Sequence, residues 1–265
     1  LTRLDVDEAV RLADGRALGQ AGETPLVITK TTGKGRAVLL NYGFAAPYSL
    51  RLSPEALPHW QVLRDLLAVQ GVKPPAFVAA NGDPLRHVET VVFHGVATEY
   101  VAFLKYRNSA TEQPVTATVT MDRKLHTYDM RTGQYLGYVS EWQTQFTPAR
   151  AKLFARLPYE VKGLTASARV TAGGQVGPTV ECAMQLVRTG SAGAQVIQVQ
   201  VFGPDGRERC EYGRNVWTKG SSQPKEDGTA TCRIQLALND PSGQWKIVAR
   251  DTISHKMATA TFRLP

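Results

Sequence analysis

The stretch "QVIQVQVFGPDG", residues 195–206, shows most directly which kind of fold the chain adopts. Ile197, Val199 and Val201 alternate with two glutamines, which is the period of a β-strand with one face in a core and one in solvent. The Pro-Asp-Gly that follows is typical of a tight turn. The stretch therefore predicts a half-buried strand that ends in a turn, as in a β-sandwich.

The same alternation recurs in other runs, and turn residues separate them at regular intervals. The positions that share one face are Tyr100, Ala102, Leu104 and Tyr106; Val115, Ala117, Val119 and Met121; Val180, Cys182, Met184 and Leu186; and Cys232, Ile234 and Leu236. This spacing predicts a β-sandwich over residues 76–163 and an immunoglobulin-like or fibronectin-like β-sandwich over residues 164–265. The run at residues 147–158 fits either a short helix or a closing strand.

Two apolar runs near the start of the chain, residues 24–30 and 36–44, flank Gly33-Lys34-Gly35. Runs rich in β-branched residues around a short glycine-containing connection predict a β-hairpin. A phosphate-binding Walker loop would need Ser or Thr after the lysine and would lead into a helix. Here a strand follows, so this glycine-rich stretch is predicted to be a turn.

A helix is predicted after the hairpin, because apolar residues recur at helical spacing between Trp60 and Val69, and Gly71 can end it. Pro74-Pro75 then favours an extended linker. The predicted fold class is therefore mainly β: a partial α/β segment over residues 1–75, followed by two β-sandwich domains.

The bulk composition excludes several classes of protein. A hydrophobic fraction of 43% and a charged fraction of 20% are ordinary for a globular chain. The net charge of +8 comes from scattered Lys and Arg, so a nucleic-acid partner is not expected. No apolar run approaches the ~18 residues of a membrane span. Because the chain begins at Leu1 and shows no signal-peptide layout, we expect it to be a piece cut from a longer protein.

A family resemblance rests on four stretches. "GETPLVITKTTGKGRAVLLNYGF" with "WQVLRDLLAVQGV" resembles the closing hairpin and last helix of a glutamine-amidotransferase-like α/β domain. In one family of β-galactosidases that domain follows the catalytic barrel and helps to form a trimer. "HTYDMRTGQYLGYV" is similar to a turn in small β-domains of such glycosidases, and "GTATCRIQLALNDPSGQWKIVARD" is similar to bacterial immunoglobulin-like modules.

The resemblance implies the C-terminal region of a β-galactosidase-like multidomain protein. It carries over no catalytic residue, because the barrel with its paired glutamates is absent from this chain. The amidotransferase nucleophile also has no counterpart, because no cysteine lies in the first 75 residues.

Carbohydrate binding is the main alternative, because sugar rings stack on exposed aromatic faces. Tyr128, Tyr135, Tyr138 and Trp142 cluster within fifteen positions. Trp217 lies in a polar segment, whereas Trp245 is expected to fill the core. The possible carbohydrate-binding residues are Tyr128, Tyr135, Trp142 and Trp217.

The remaining chemistry is sparse. Cys182 and Cys232 fall on neighbouring predicted strands, where they can form either a disulfide or two buried free thiols. Cys210 lies between charged residues and is expected to be unpaired. The five histidines show no paired spacing, so the sequence predicts no metal site and no cofactor.

These observations lead to one functional hypothesis and two alternatives. The first is a non-catalytic accessory region that positions or oligomerises a larger, exported glycosidase-like protein. The alternatives are a carbohydrate-binding module and a hydrolase with an unrecognised site. The expected partners are preceding domains of the same polypeptide or a second copy of the chain, and carbohydrate in the case of a binding module. The expected location is extracellular, periplasmic or at the cell surface.

Overall fold

The computed structural model of the protein describes residues 4–43, 57–85, 87–95, 97–107, 113–174, 177–190, 193–218 and 228–265. The chain forms two compact units, Leu1–Pro74 and Pro75–Pro265. The predicted boundary at residue 75 lies one residue from this division. Several antiparallel sheets account for most of the described residues, so the fold is mainly β, as predicted.

The first unit contains a three-stranded antiparallel sheet and one helix. Its elements are β1 (Arg16–Ala21), β2 (Thr24–Thr32), β3 (Gly35–Leu40) and α1 (Leu57–Val69). Strands β2 and β3 form the predicted hairpin. Gly33 has a φ of 58° in its turn, a conformation that glycine adopts without a Cβ penalty. The pairing confirms the turn, while Phe44 of the predicted second run lies outside the described residues.

The predicted helix ends where expected. Gly71 has a φ of 77°, and the Val72 amide donates a hydrogen bond to the Leu67 carbonyl at 3.0 Å, which is a glycine-stopped helix C-terminus. The short strand β1 was not predicted, because its sequence RALGQA contains no β-branched or aromatic residue.

Seven strands at the start of the second unit form one sheet. They are β4 (Phe77–Ala80), β5 (Asp83–Pro84), β6 (Val88–His94), β7 (Glu99–Lys105), β8 (Val115–Asp129), β9 (Gln134–Phe146) and β10 (Lys152–Leu157). The order is β5-β4-β8-β10-β7-β6, and β9 also pairs with β8. The ambiguous run at residues 147–158 thus contains a closing strand, β10.

This sheet curls on itself around a core. Strands β7 and β9 are three positions apart in the sheet, which would separate them by about 14 Å if it were flat. Yet the rings of Phe103 in β7 and Phe146 in β9 have centroids only 5.6 Å apart. The curl occurs where β8 exchanges its partner β4 for β10, at a register irregularity between Thr120 and Leu125.

Two facing sheets complete the described part of the second unit. They consist of β11 (Val161–Gly174), β12 (Gly177–Arg188) and β15 (Thr229–Gln235), facing β14 (Arg214–Trp217), β13 (Val196–Phe202), β16 (Gly243–Asp251) and β17 (Met257–Leu264). Ile197, Val199 and Val201 are buried, which confirms the inward face predicted for β13. Trp245 fills the core and stacks on Phe262 with centroids 6.0 Å apart.

The core of these two sheets continues into the preceding sheet. Tyr128 of β8 and Leu157 of β10 belong to the same buried cluster as Trp245. The Val161 amide donates a hydrogen bond to the Tyr128 hydroxyl at 2.8 Å, and His255 Nε2 lies 2.9 Å from the Met130 carbonyl oxygen. The predicted domain boundary at residue 163 therefore falls inside β11, in a region that is packed on both sides.

One ion pair is buried in the seven-stranded sheet. The Arg156 side chain has no solvent exposure, and its Nη1 lies 2.6 Å from Glu99 Oε2. Its Nη2 donates to the Arg123 carbonyl oxygen, and the Arg123 guanidinium also contacts Glu99. Glu99 therefore neutralises a guanidinium that cannot reach water, which makes the pair a structural feature.

Candidate functional site

A cluster of three exposed or half-exposed rings lies on β8 and β9. We call His126, Tyr135 and Tyr138 the tyrosine cluster. His126 lies directly opposite Tyr138, with ring centroids 4.9 Å apart, and stacks on Tyr135 with centroids 5.9 Å apart. Its Nδ1 lies 2.7 Å from the Tyr135 hydroxyl oxygen. Tyr135 is 38% exposed and Tyr138 is 56% exposed, so both present ring surface to a ligand.

A β-bulge brings the two tyrosines to one face. Residues three positions apart in a regular strand point to opposite faces. Here Thr127 pairs with Gly137 while Tyr128 pairs with Tyr135, so one extra residue is inserted in β9. Gly137 has a φ of 111°, which glycine accommodates. The extra residue restores the alternation and places both tyrosine rings beside His126.

Charged side chains adjoin the tyrosine cluster. Glu160 and Lys162 form an ion pair with 2.7 Å between the Lys162 Nζ and Glu160 Oε2 atoms. Burial lowers the pKa of His126; the Glu160 charge raises it and the Lys162 charge lowers it further. Burial also raises the pKa of Tyr135. The cluster therefore combines aromatic faces with a neutral imidazole, a carboxylate and an ammonium group, the groups that hydrogen-bond sugar hydroxyls.

The structure treats the four aromatic residues predicted to bind carbohydrate differently. Tyr128 and Trp142 are buried: Tyr128 packs against Tyr135 with ring centroids 5.0 Å apart, and the Trp142 ring packs on Phe154 with centroids 5.1 Å apart. Neither has a free face for stacking, because each belongs to a buried core cluster. Tyr135 lies in the tyrosine cluster, and Trp217 is 66% exposed on β14. These two remain predicted binding residues.

Trp217 lies at one side of a polar sheet surface. Asn215 is two residues earlier on the same strand and therefore shares its face. Asn215 pairs with Gln198, which pairs in turn with Arg250. An exposed indole beside a row of amide and guanidinium groups is a second surface suited to carbohydrate. Its residues lie far along the chain from those of the tyrosine cluster.

Two carboxylates of the seven-stranded sheet are held in structural contacts. Glu99 is held by Arg156, and Asp129 accepts a hydrogen bond from the Arg131 amide at 2.9 Å in the β8–β9 turn. Within the described ranges, no three His, Cys, Asp or Glu side chains converge in a way that would hold a metal ion.

The two cysteines predicted to be neighbours are opposite one another. Cys182 of β12 pairs in register with Cys232 of β15, and both are free thiols in this structure. Cys182 is buried, whereas Cys232 is half-buried. Cys210 is exposed, and it too is a free thiol.

The first unit exposes an unusual amount of apolar side chain. Its fully buried apolar residues in the described ranges are Leu26, Val27 and Tyr42. A larger set, which we call the apolar face of the first unit, is exposed: Leu18, Leu39, Trp60, Leu67 and Val69. A groove of about 530 Å³ runs between α1 and the sheet, and two of these residues, Leu18 and Val69, line it.

Comparisons with known proteins give no family assignment. No family model matches the chain, and no curated protein matches it. A "putative beta-galactosidase" from Bacteroides fragilis is 9% identical, with 63% of this chain and 32% of that chain covered, at a TM-score of 0.27. The isomalto-dextranase of Arthrobacter globiformis T6, complexed with panose, is 16% identical, with 53% and 30% covered, at a TM-score of 0.20.

The chain thus spans about a third of the length of the solved structures it matches. Both neighbours are glycosidase-related by name, but at these TM-scores the likeness carries no argument about fold or function. In the part of the chain that the structure describes, no helix is long and apolar enough to cross a membrane.

Proposed function

We propose that the chain is a non-catalytic accessory region that positions or oligomerises a larger glycosidase-like protein, exported to the periplasm, the cell surface or the medium. The apolar face of the first unit carries this proposal. The described part of the first unit buries three apolar side chains, so it gains little free energy on folding. Trp60 and Leu67, 40% and 50% exposed, lie seven residues apart and so on one face of α1.

Exposed apolar surface of this kind marks a site of contact with more protein. The partner is a preceding domain of the same polypeptide or a second copy of the chain. In either case burial of Trp60, Leu67 and Leu39 would stabilise the unit, at about 25 cal/mol for each Å² removed from water.

The test is the oligomeric state of the 265-residue chain. We expect light scattering after size-exclusion chromatography to show self-association that Trp60→Glu with Leu67→Glu abolishes, because charges at the centre of an apolar interface are left unpaired. Leu238→Glu is the matched control, since Leu238 is 74% exposed in the second unit. A wild-type monomer at every concentration would contradict oligomerisation. An unchanged mass for the double variant would contradict the assignment of the interface.

Carbohydrate binding is a second candidate function, and the tyrosine cluster favours it. Two exposed phenol rings, fixed by contact with His126 and flanked by Glu160, give a rigid aromatic surface with hydrogen-bonding groups at its edge. Rigid aromatic side chains bind at low cost in conformational entropy. A sugar ring would stack on Tyr138 while its hydroxyls reach the charged pair.

We expect Tyr138→Ala to weaken binding of a glycan by about tenfold, because a stacking contact of ~1.4 kcal/mol is lost. Affinity should be measured by calorimetry against neutral and charged oligosaccharides. Tyr106→Ala is the matched control, because Tyr106 is as exposed as Tyr135 and lies outside the cluster. Equal affinity of both variants and the wild type for every bound glycan would rule out this site.

A further inference from the structure

The register of β12 and β15 places two thiols opposite each other. Cys182 and Cys232 are direct Cα partners in an antiparallel pair. Opposed residues in such a pair have Cα atoms about 4.5 or 5.5 Å apart, and both values lie within the ~4.4–6.8 Å range of disulfides. Both side chains point to the same face of the sheet, into the sandwich interior. The backbone therefore already meets the geometric requirement for a bond between them.

The two thiols differ in access. Cys182 lies on the central strand of its sheet and is 2% exposed. Cys232 lies on the edge strand β15 and is half-buried. Arg214 crosses to this edge, where its Nη1 donates to the Arg233 carbonyl oxygen at 2.6 Å. Cys232 is therefore the thiol that a reagent can reach. The guanidinium of Arg214 is near enough to favour the thiolate form of Cys232.

The pKa shifts of the two thiols agree with this difference in access. The hydrogen bond from the Cys182 thiol lowers the pKa of Cys232; burial opposes this, and the charge of Arg214 adds to it. The same hydrogen bond, followed by burial, raises the pKa of Cys182. When the pair loses one proton, that proton therefore leaves the more accessible thiol, Cys232, which makes Cys232 the nucleophile.

We propose that Cys182 and Cys232 form a cross-strand disulfide by exchange with a disulfide of the glutathione or dithiol-oxidoreductase class. The Cys232 thiolate attacks one sulfur of the donor, which forms a mixed disulfide and expels one donor thiolate. Cys182, giving up its proton, then attacks Sγ of Cys232, and the second donor thiolate leaves. The pair loses two electrons and two protons, and the donor disulfide is reduced to two thiols.

The bond would fasten the edge strand β15 to the centre of its sheet. It would also close a loop from residue 182 to residue 232, which restricts the unfolded chain. Such a bond persists in an oxidising compartment and is rare in a reducing one. The inference therefore adds a redox-dependent cross-link to a region proposed to be exported.

The test uses the full chain with Cys210→Ser, which removes the exposed third thiol. After incubation with oxidised and reduced glutathione, the intact mass should fall by two hydrogens, and peptide mapping should join residues 182 and 232. The melting temperature should rise by about 5–10 °C. A native protein that keeps both thiols, or that bonds them only in denaturant, would overturn the proposal.

Single variants in the same background test the order of attack. Cys182→Ala should accumulate a glutathione adduct on Cys232, because the resolving thiol is missing. Cys232→Ala should gain no adduct, because Cys182 is out of reach. Adducts that form on both variants at equal rates would contradict the assignment of Cys232 as the nucleophile. The disulfide itself is measured separately, in the Cys210→Ser parent.

Discussion

Replacing Glu99 with alanine is expected to lower the free energy of unfolding by about 3–5 kcal/mol. The change leaves the guanidinium of Arg156 without its counter-ion at a position with no solvent exposure. Arg156 Nε already has no hydrogen-bond partner in the described part of the chain, and the carboxylate that remains, Asp122, lies 4.0 Å from Nη1 and is itself 76% exposed. Urea unfolding followed by fluorescence would measure the loss.

A control variant and a double variant test whether the lost stability comes from the unpaired charge of Arg156. Glu141→Ala removes an exposed carboxylate on strand β9 of the same sheet and should cost less than about 0.5 kcal/mol. Glu99→Leu combined with Arg156→Met removes both charges, and it should recover a large part of the loss because the desolvation penalty disappears. If Glu99→Ala were as stable as the wild type, Arg156 would have to reach water, and the burial of the pair would be wrong.

Trp245→Ala is expected to be destabilising by about 3–5 kcal/mol, because it opens a large cavity. Trp245 is fully buried, stacks on Phe262 and packs near Tyr212, with centroids 6.3 Å apart in the second case. Its indole Nε1 also donates to the Pro241 carbonyl oxygen at 3.1 Å, so the variant leaves that acceptor without its donor. Thermal and urea unfolding should both report the change.

Trp217→Ala is the matched comparison, since it removes the same side chain from the opposite surface of the same sheet. Trp217 is exposed, so the stability change should stay within about 0.5 kcal/mol. If Trp217 binds carbohydrate, as the sequence predicts, only its variant should lose affinity without losing stability. Similar destabilisation by the two variants would show that Trp217 is covered in solution.

Alternation predicted the sandwich strands well where one face is apolar and the other polar, as in Ile197 and Val199 of β13. It was less informative for β7, where both faces are apolar. There the fully buried residues are Val101 and Phe103, whereas the predicted face of Tyr100 and Ala102 is only partly buried. The curl of the first sheet depends on contacts between distant strands, and no local pattern encodes it.

The tyrosine cluster was predicted only in part for a related reason. A count of aromatic residues identified the segment, but exposure depends on which face each strand turns to the core. Tyr128 and Trp142 were named as possible carbohydrate-binding residues, with closure of the sandwich core as the alternative, and packing buries both. Tyr138 reaches His126 through the bulge at Gly137, whose register involves a second strand. The glycine between Tyr135 and Tyr138 was the one sequence signal for that irregularity.

The continuous core between the curled sheet and the two facing sheets has a consequence for any polymeric ligand. Because Tyr128 and Leu157 are packed into the same cluster as Trp245, the second unit has no hinge at this junction. The distance between the tyrosine cluster and Trp217 is therefore fixed. A long glycan that touched both would gain from the high effective concentration of its second contact, and a single sugar would not.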